Sequence, residues 1–109
     1  MNDQQTNLQA LKDIVESFVQ KRDWAQFHSP KNLAMSISIE AAELMEIFQW
    51  LSNEEAWNIN ENPETFNHLK EEIADVMIYC LSLANRLDID VAEAISSKVA
   101  KNEKRFPTK

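Results

Sequence analysis

Residues 72–84 read EIADVMIYCLSLA, and this stretch decides the fold. From Ile73 to Ala84 the side chains are apolar nearly all round a 3.6-residue period, Asp75 excepted, which predicts a helix covered on most of its faces. Just upstream, Asn62-Pro63 is a start signal, because Asn caps a helix and Pro suits its first position. The helix is therefore expected over about 63–87, as the third of four. The first spans about 6–22, with Leu8, Leu11, Ile14, Val15 and Phe18 at three- and four-residue spacing. Ser29-Pro30 reads as a block to helix in the linker that follows. The second covers about 31–51, with Leu33, Ile37, Leu44, Phe48 and Leu51 on one stripe, and 52–62 is a connection holding one helical turn. Asp88 or Asp90 caps the fourth, Asp90 and Glu93 having capping-box spacing, and Pro107 stops it after about Arg105.

A length of 109 residues suits one domain, taken as 1–109, since two cores of half that size would be marginal. Hydrophobic residues at 44% against 27% charged ones give a globular balance. The chain has no glycine, which excludes the glycine-rich loops that cradle phosphates, so any phosphate chemistry must rely on metal and side chains. A formal net charge of −7 argues against a nucleic-acid partner, whose backbone is held by clustered Lys and Arg. Cys80 has no partner for a disulfide and is expected to be a buried free thiol of a reducing compartment. Met1 to Gln5 shows no apolar leader, and no apolar run approaches the roughly 20 residues of a membrane span. A soluble, cytoplasmic protein without a membrane partner is the expectation.

Within this pattern the carboxylates are out of place. On the second helix Glu40 falls at the edge of the apolar stripe, with Glu43 about one-sixth of a turn further. On the third, Glu72 lies beside the stripe of Leu69, Ile73, Val76, Leu83 and Leu87, and Asp75 follows by the same rotation. An unpaired carboxylate in an apolar interior costs several kcal/mol or takes up a proton. Four of them facing one another across two helices repel unless cations intervene, and hard oxygen ligands suit Mg²⁺ or Mn²⁺ better than Zn²⁺. Because Mg²⁺ commonly joins carboxylates to phosphates, the cluster implies displacement at phosphorus. The bland alternative is a solvated seam of salt bridges to Lys70, Lys98 or Lys101. A di-iron bundle would need Glu-x-x-His motifs, and neither His28 nor His68 stands three residues after a Glu.

The segments RDWAQFHSPKNLAMSISIEAAELMEIFQW (22–50), EEIADVMIYCLSLANRLDID (71–90) and AISSKVAKNEKRFP (94–107) resemble the all-α NTP pyrophosphatases of the MazG-like superfamily, most closely the dCTP-pyrophosphatase branch. The paired E-x-x-E and E-x-x-D are generic to that superfamily, whereas D-W-x-Q-F-H, F-Q-W and K-x-x-x-N-x-x-R are more specific. The resemblance implies a helical bundle that cleaves a nucleoside triphosphate between its α- and β-phosphates, in the sanitation of nucleotide pools. It assigns the metal ligands and catalytic carboxylates to Glu40, Glu43, Glu72 and Asp75. It puts base contacts at Trp24, Trp50 and Tyr79, triphosphate contacts at Lys98, Asn102 and Arg105, and a further ligand contact at His28. Glu43 is the chosen general base. Where relatives carry a His on the first helix, this chain has Val15, which leaves the preferred base open. The competing readings are a dUTP-directed or phosphoribosyl-ATP-directed relative and a non-catalytic acidic module that binds a basic partner. The family forms dimers and tetramers, and the all-round apolar third helix exceeds what one thin bundle covers, so a homotetramer, or failing that a dimer, is expected.

Overall fold

The computed structural model describes residues 1–108, and it is all-helical. Four long helices, α1 (Leu8–Lys21), α2 (Pro30–Phe48), α4 (Pro63–Arg86) and α5 (Val91–Arg105), match the four expected, and the connection after α2 holds a short helix, α3 (Asn53–Trp57). Single 3-10 turns stand at Ala25–Phe27 and Ile59–Glu61.

Each long helix starts on a side-chain cap. Asn7, Ser29, Asn62 and Asp90 accept the backbone N–H three residues on, at 2.8, 3.1, 3.2 and 2.9 Å. Ser29-Pro30 is therefore a start and not the block expected from the sequence: Pro30 occupies the first turn, where its missing N–H would have had no partner. It is the same device as Asn62-Pro63. The complete reciprocal capping box forms at Ser52 and Glu55, and the backbone and side chain of Ser52 hold the Glu55 carboxyl below its usual range.

Two helices end on a left-handed aspartate. After α1, Asp23 has φ 56°, and after α4, Asp88 has φ 51°. The Trp24 N–H then reaches the Val19 carbonyl at 3.1 Å, and the Ile89 N–H reaches that of Ala84 at 2.9 Å. This six-residue closure normally uses glycine at the reversing position; a chain without glycine uses Asp, whose short polar side chain tolerates it best after Asn.

The main packing is α2 against α4, with α1 on the C-terminal half of α4 and α5 only lightly attached. Asn85 donates to the Lys12 carbonyl at 3.0 Å, the Lys12 ammonium to the Ile89 carbonyl at 2.8 Å, and Arg86 pairs with Glu16. These bonds tie α1 to the elbow between α4 and α5. The interior is thin: Val15, Val19, Leu33, Leu81 and Ala84 are the buried hydrophobic residues among those described. A radius of gyration of 16.5 Å exceeds the roughly 13 Å of a compact chain this long, so the helices splay.

The expectation that α4 is covered on most faces is corrected by this arrangement. Ile73, Met77 and Ile78 are exposed, and so is Cys80, which is not the buried thiol the apolar run suggested. With α2 and α1 on one side and α5 held off, a single chain leaves the remaining α4 surface bare. Cys80 lines an apolar groove of about 510 Å³ between α4 and α5, with Leu83, Ile95 and Val99. No helix among the described residues is long and apolar enough to cross a membrane.

Candidate metal centre

The carboxylates of Glu40 and Glu43 on α2 and Glu72 on α4 offer oxygens that all lie within 4.8 Å of one another. Three residues span less than one turn, so Glu40 and Glu43 leave α2 on neighbouring lines and meet Glu72 where α4 crosses. Their surroundings differ. Glu43 is exposed, Glu40 is half-buried, and Glu72 is only 8% exposed. One oxygen of Glu40 and one of Glu72, Oε2 in each case, is buried without any hydrogen-bond partner.

Electrostatics record the crowding. The Glu40 carboxyl is raised from 4.5 to about 7, first by burial, then by hydrogen bonding with Glu43 and by the charges of Glu43, Asp75 and Glu72. Asp75 is half-buried and falls outside the tight group, although its charge is felt at Glu40.

The lysine seam does not form. Lys70 lies over the Phe66 ring at 4.6 Å, and Lys98 lines the apolar groove between α4 and α5. Among the described residues, the only Lys or Arg paired with a carboxylate is Arg86, with Glu16, while Glu72 contacts His68. His68 is a contact that a Glu-x-x-His pattern does not reveal. Its Nε2 stands 3.2 Å from Glu72 Oε1, at the i,i+4 spacing that puts two side chains on one helix face. His-x-x-x-Glu was the legible signal. Beside this pair opens a cleft of about 420 Å³, lined by Glu43, Glu46, Ile47, Thr65, His68 and Glu72.

None of the other expected site residues lines the cleft beside the carboxylates. Trp24 is exposed, edge-on to Phe18 at 5.6 Å, and the Arg22 guanidinium lies 3.7 Å from the Phe18 ring centroid. His28 is half-buried, with a buried and unpartnered Nδ1. Trp50 is 86% exposed and lies two residues past the end of α2 at Phe48. Tyr79 is half-buried one turn beyond Asp75. On α5, Asn102 is half-buried while Lys98 and Arg105 are exposed, and none of the three lines the cleft beside the carboxylates. Val15 is buried in the core.

Residues 35–109 match the family model described as MazG-like. The chain belongs to the MazG-like family. It is 38% identical to dCTP pyrophosphatase 1 of Rattus norvegicus over 92% of its length, and 37% identical to that of Homo sapiens over the same share. It spans 59% of the length of these relatives. A solved pyrophosphatase from Archaeoglobus fulgidus is 41% identical, with a TM-score of 0.85 over 99% of both chains. The MazG-like fold is thus shared along the chain, and residues 35–109 contain all four of the candidate carboxylates.

Proposed function

We propose that this chain is a nucleoside triphosphate pyrophosphohydrolase that holds Mg²⁺, or Mn²⁺ in its place, on Glu40, Glu43, Glu72 and Asp75. The observation that carries the reading is the pair of buried, unpartnered oxygens on Glu40 and Glu72, within a group of three carboxylates that no lysine or arginine neutralises. A hard divalent cation fits that donor set. Similarity to proteins named dCTP pyrophosphatase and pyrophosphatase supports the reaction class.

When bound, Mg²⁺ offsets the charge of the triphosphate and of the departing pyrophosphate and makes a water easier to deprotonate. Within the chain, Glu40 and Glu72 fix the ligand geometry from half-buried and buried positions, while Glu43, at the exposed rim of the cleft, accepts the proton of the attacking water. Water adds, the bond between the α-phosphorus and the bridging oxygen breaks, and monophosphate and pyrophosphate leave. Trp24, Trp50 and Tyr79 are assigned to the base, and His28, Lys98, Asn102 and Arg105 to the remainder of the nucleotide. The substrate is dCTP or a related deoxynucleoside triphosphate, in a cytoplasmic role of pool sanitation.

Assembly as a homotetramer, or as a dimer, belongs to the same reading. Ile39 and Met45 on α2, Ile73, Met77 and Ile78 on α4, and Ile95 and Val99 on α5 are exposed in a single chain, and apolar surface of that extent is normally covered. A monomeric mass in light scattering would contradict it.

A panel of nucleoside triphosphates with Mg²⁺, reading pyrophosphate and monophosphate separately, tests the reaction. Release of inorganic phosphate alone, or hydrolysis of no member of the panel, would sink it. Glu43→Gln is expected to keep the circular dichroism of the wild type and to lose most turnover; unchanged turnover would remove Glu43 from the role of base.

A further inference from the structure

Among the described residues, Glu40 and Glu43 hydrogen-bond only with one another, whereas Glu72 contacts a group outside the carboxylate cluster, His68 Nε2 at 3.2 Å. In the tautomer with its hydrogen on Nε2, His68 donates to Oε1, a role that a carboxylate oxygen is built to accept. The two partners sit differently: the His68 side chain is 57% exposed and that of Glu72 11%. The bond therefore reaches from the open cleft into the interior, and it occupies Oε1 while leaving the buried Oε2 of Glu72 without a partner.

We infer that His68 is a positioning residue for the metal ligand Glu72: its Nε2–H holds one carboxylate oxygen so that the other is presented to the cation. This rests on the proposed reading of Glu40, Glu43 and Glu72 as ligands. A glutamate carboxylate swings on three rotatable bonds, Cα–Cβ, Cβ–Cγ and Cγ–Cδ, and Glu72 is the sole member of the tight group supplied by α4. With Glu40 and Glu43 on the facing helix, the width of the site depends on where the Glu72 carboxylate is held. Hydrogen bonds from outside the ligand set commonly fix a ligand's orientation in this way, and removing one weakens metal binding by about 10- to 100-fold.

The test is direct binding of Mg²⁺ by calorimetry and of Mn²⁺ by paramagnetic resonance, on wild type, His68→Ala and His68→Gln. Glutamine places its amide N–H near the position of the histidine Nε2, so it keeps the donor without the imidazole. His68→Ala is expected to bind both ions about 10- to 100-fold more weakly, His68→Gln to recover to within a few-fold of wild type, and the metal-free melting temperatures to coincide. Wild-type affinity in His68→Ala overturns the assignment of His68 alone. Equal weakening in both variants overturns the donor role in favour of a need for the imidazole itself. Absence of Mg²⁺ and Mn²⁺ binding by the wild type overturns the metal reading and the role of His68 with it.

Discussion

Glu40 and Glu43 on α2 have the same three-residue spacing as Glu72 and Asp75 on α4, and both pairs interrupt apolar surface. In the folded chain they diverge. Both members of the α2 pair enter the tight group, one half-buried and one exposed, whereas α4 contributes its buried Glu72 and keeps Asp75 outside. Aspartate is one methylene shorter, so after the same rotation its carboxylate stays nearer its own helix. Equal spacing thus fixes direction and leaves reach to the side chain.

The largest effect should separate the members of the α4 pair. Glu72→Gln is expected to lower pyrophosphate release by more than about 100-fold, beyond the loss that follows removal of a hydrogen-bond partner outside the ligand set, and Asp75→Asn by about tenfold. Equal losses in single-turnover assays would show that Asp75 is a full equal of Glu72 and erase the contrast. Metal removal comes next. At a free Mg²⁺ concentration about 100 times its Kd, the folded chain should gain about 2.7 kcal/mol over the same protein in chelator, seen as a higher urea midpoint, and Glu72→Gln should lose that gain.

A smaller effect distinguishes the half-buried Glu40 from the exposed Glu43. With its folded value raised to about 7 from 4.5, Glu40 binds its proton more tightly when the chain is folded. Its contribution to metal-free stability is therefore intact below about 4.5, falls as pH rises, and has been lost above about 7. Urea unfolding at pH 5 and pH 7.5 in chelator should show that decline in wild type and a shallower one in Glu40→Gln, while Glu43→Gln should retain more of the slope. The smallest effect lies away from both pairs. Asp23→Gly relieves a left-handed φ of 56° and should raise stability by about 0.5–1 kcal/mol in denaturant titrations without altering Mg²⁺ affinity.

The long helices were legible because caps and apolar periods are local. Asn62-Pro63 and Ser29-Pro30 are both a polar cap followed by proline and both start helices; proline restricts Ser29 to extended backbone, φ −66° and ψ 154°, which is the conformation of a cap and no obstacle to the helix after it. Glu40, Glu43 and Glu72 were legible because carboxylates beside apolar stripes are anomalous. A Glu-x-x-His pattern does not reveal His68, because its contact runs from His forward by four residues to Glu72. Exposure of Cys80, Ile73 and Met77 was not legible, since periodicity tells which faces are apolar and says nothing of whether the covering surface belongs to the same chain.

The thin interior has a consequence for how this protein responds to dilution. Among the described residues the buried hydrophobic ones are only Val15, Val19, Leu33, Leu81 and Ala84, and apolar faces stay open on α2, α4 and α5. Under the proposed assembly, mass action then enters folding itself: the melting temperature climbs with chain concentration, and a stability quoted without that concentration has no fixed meaning.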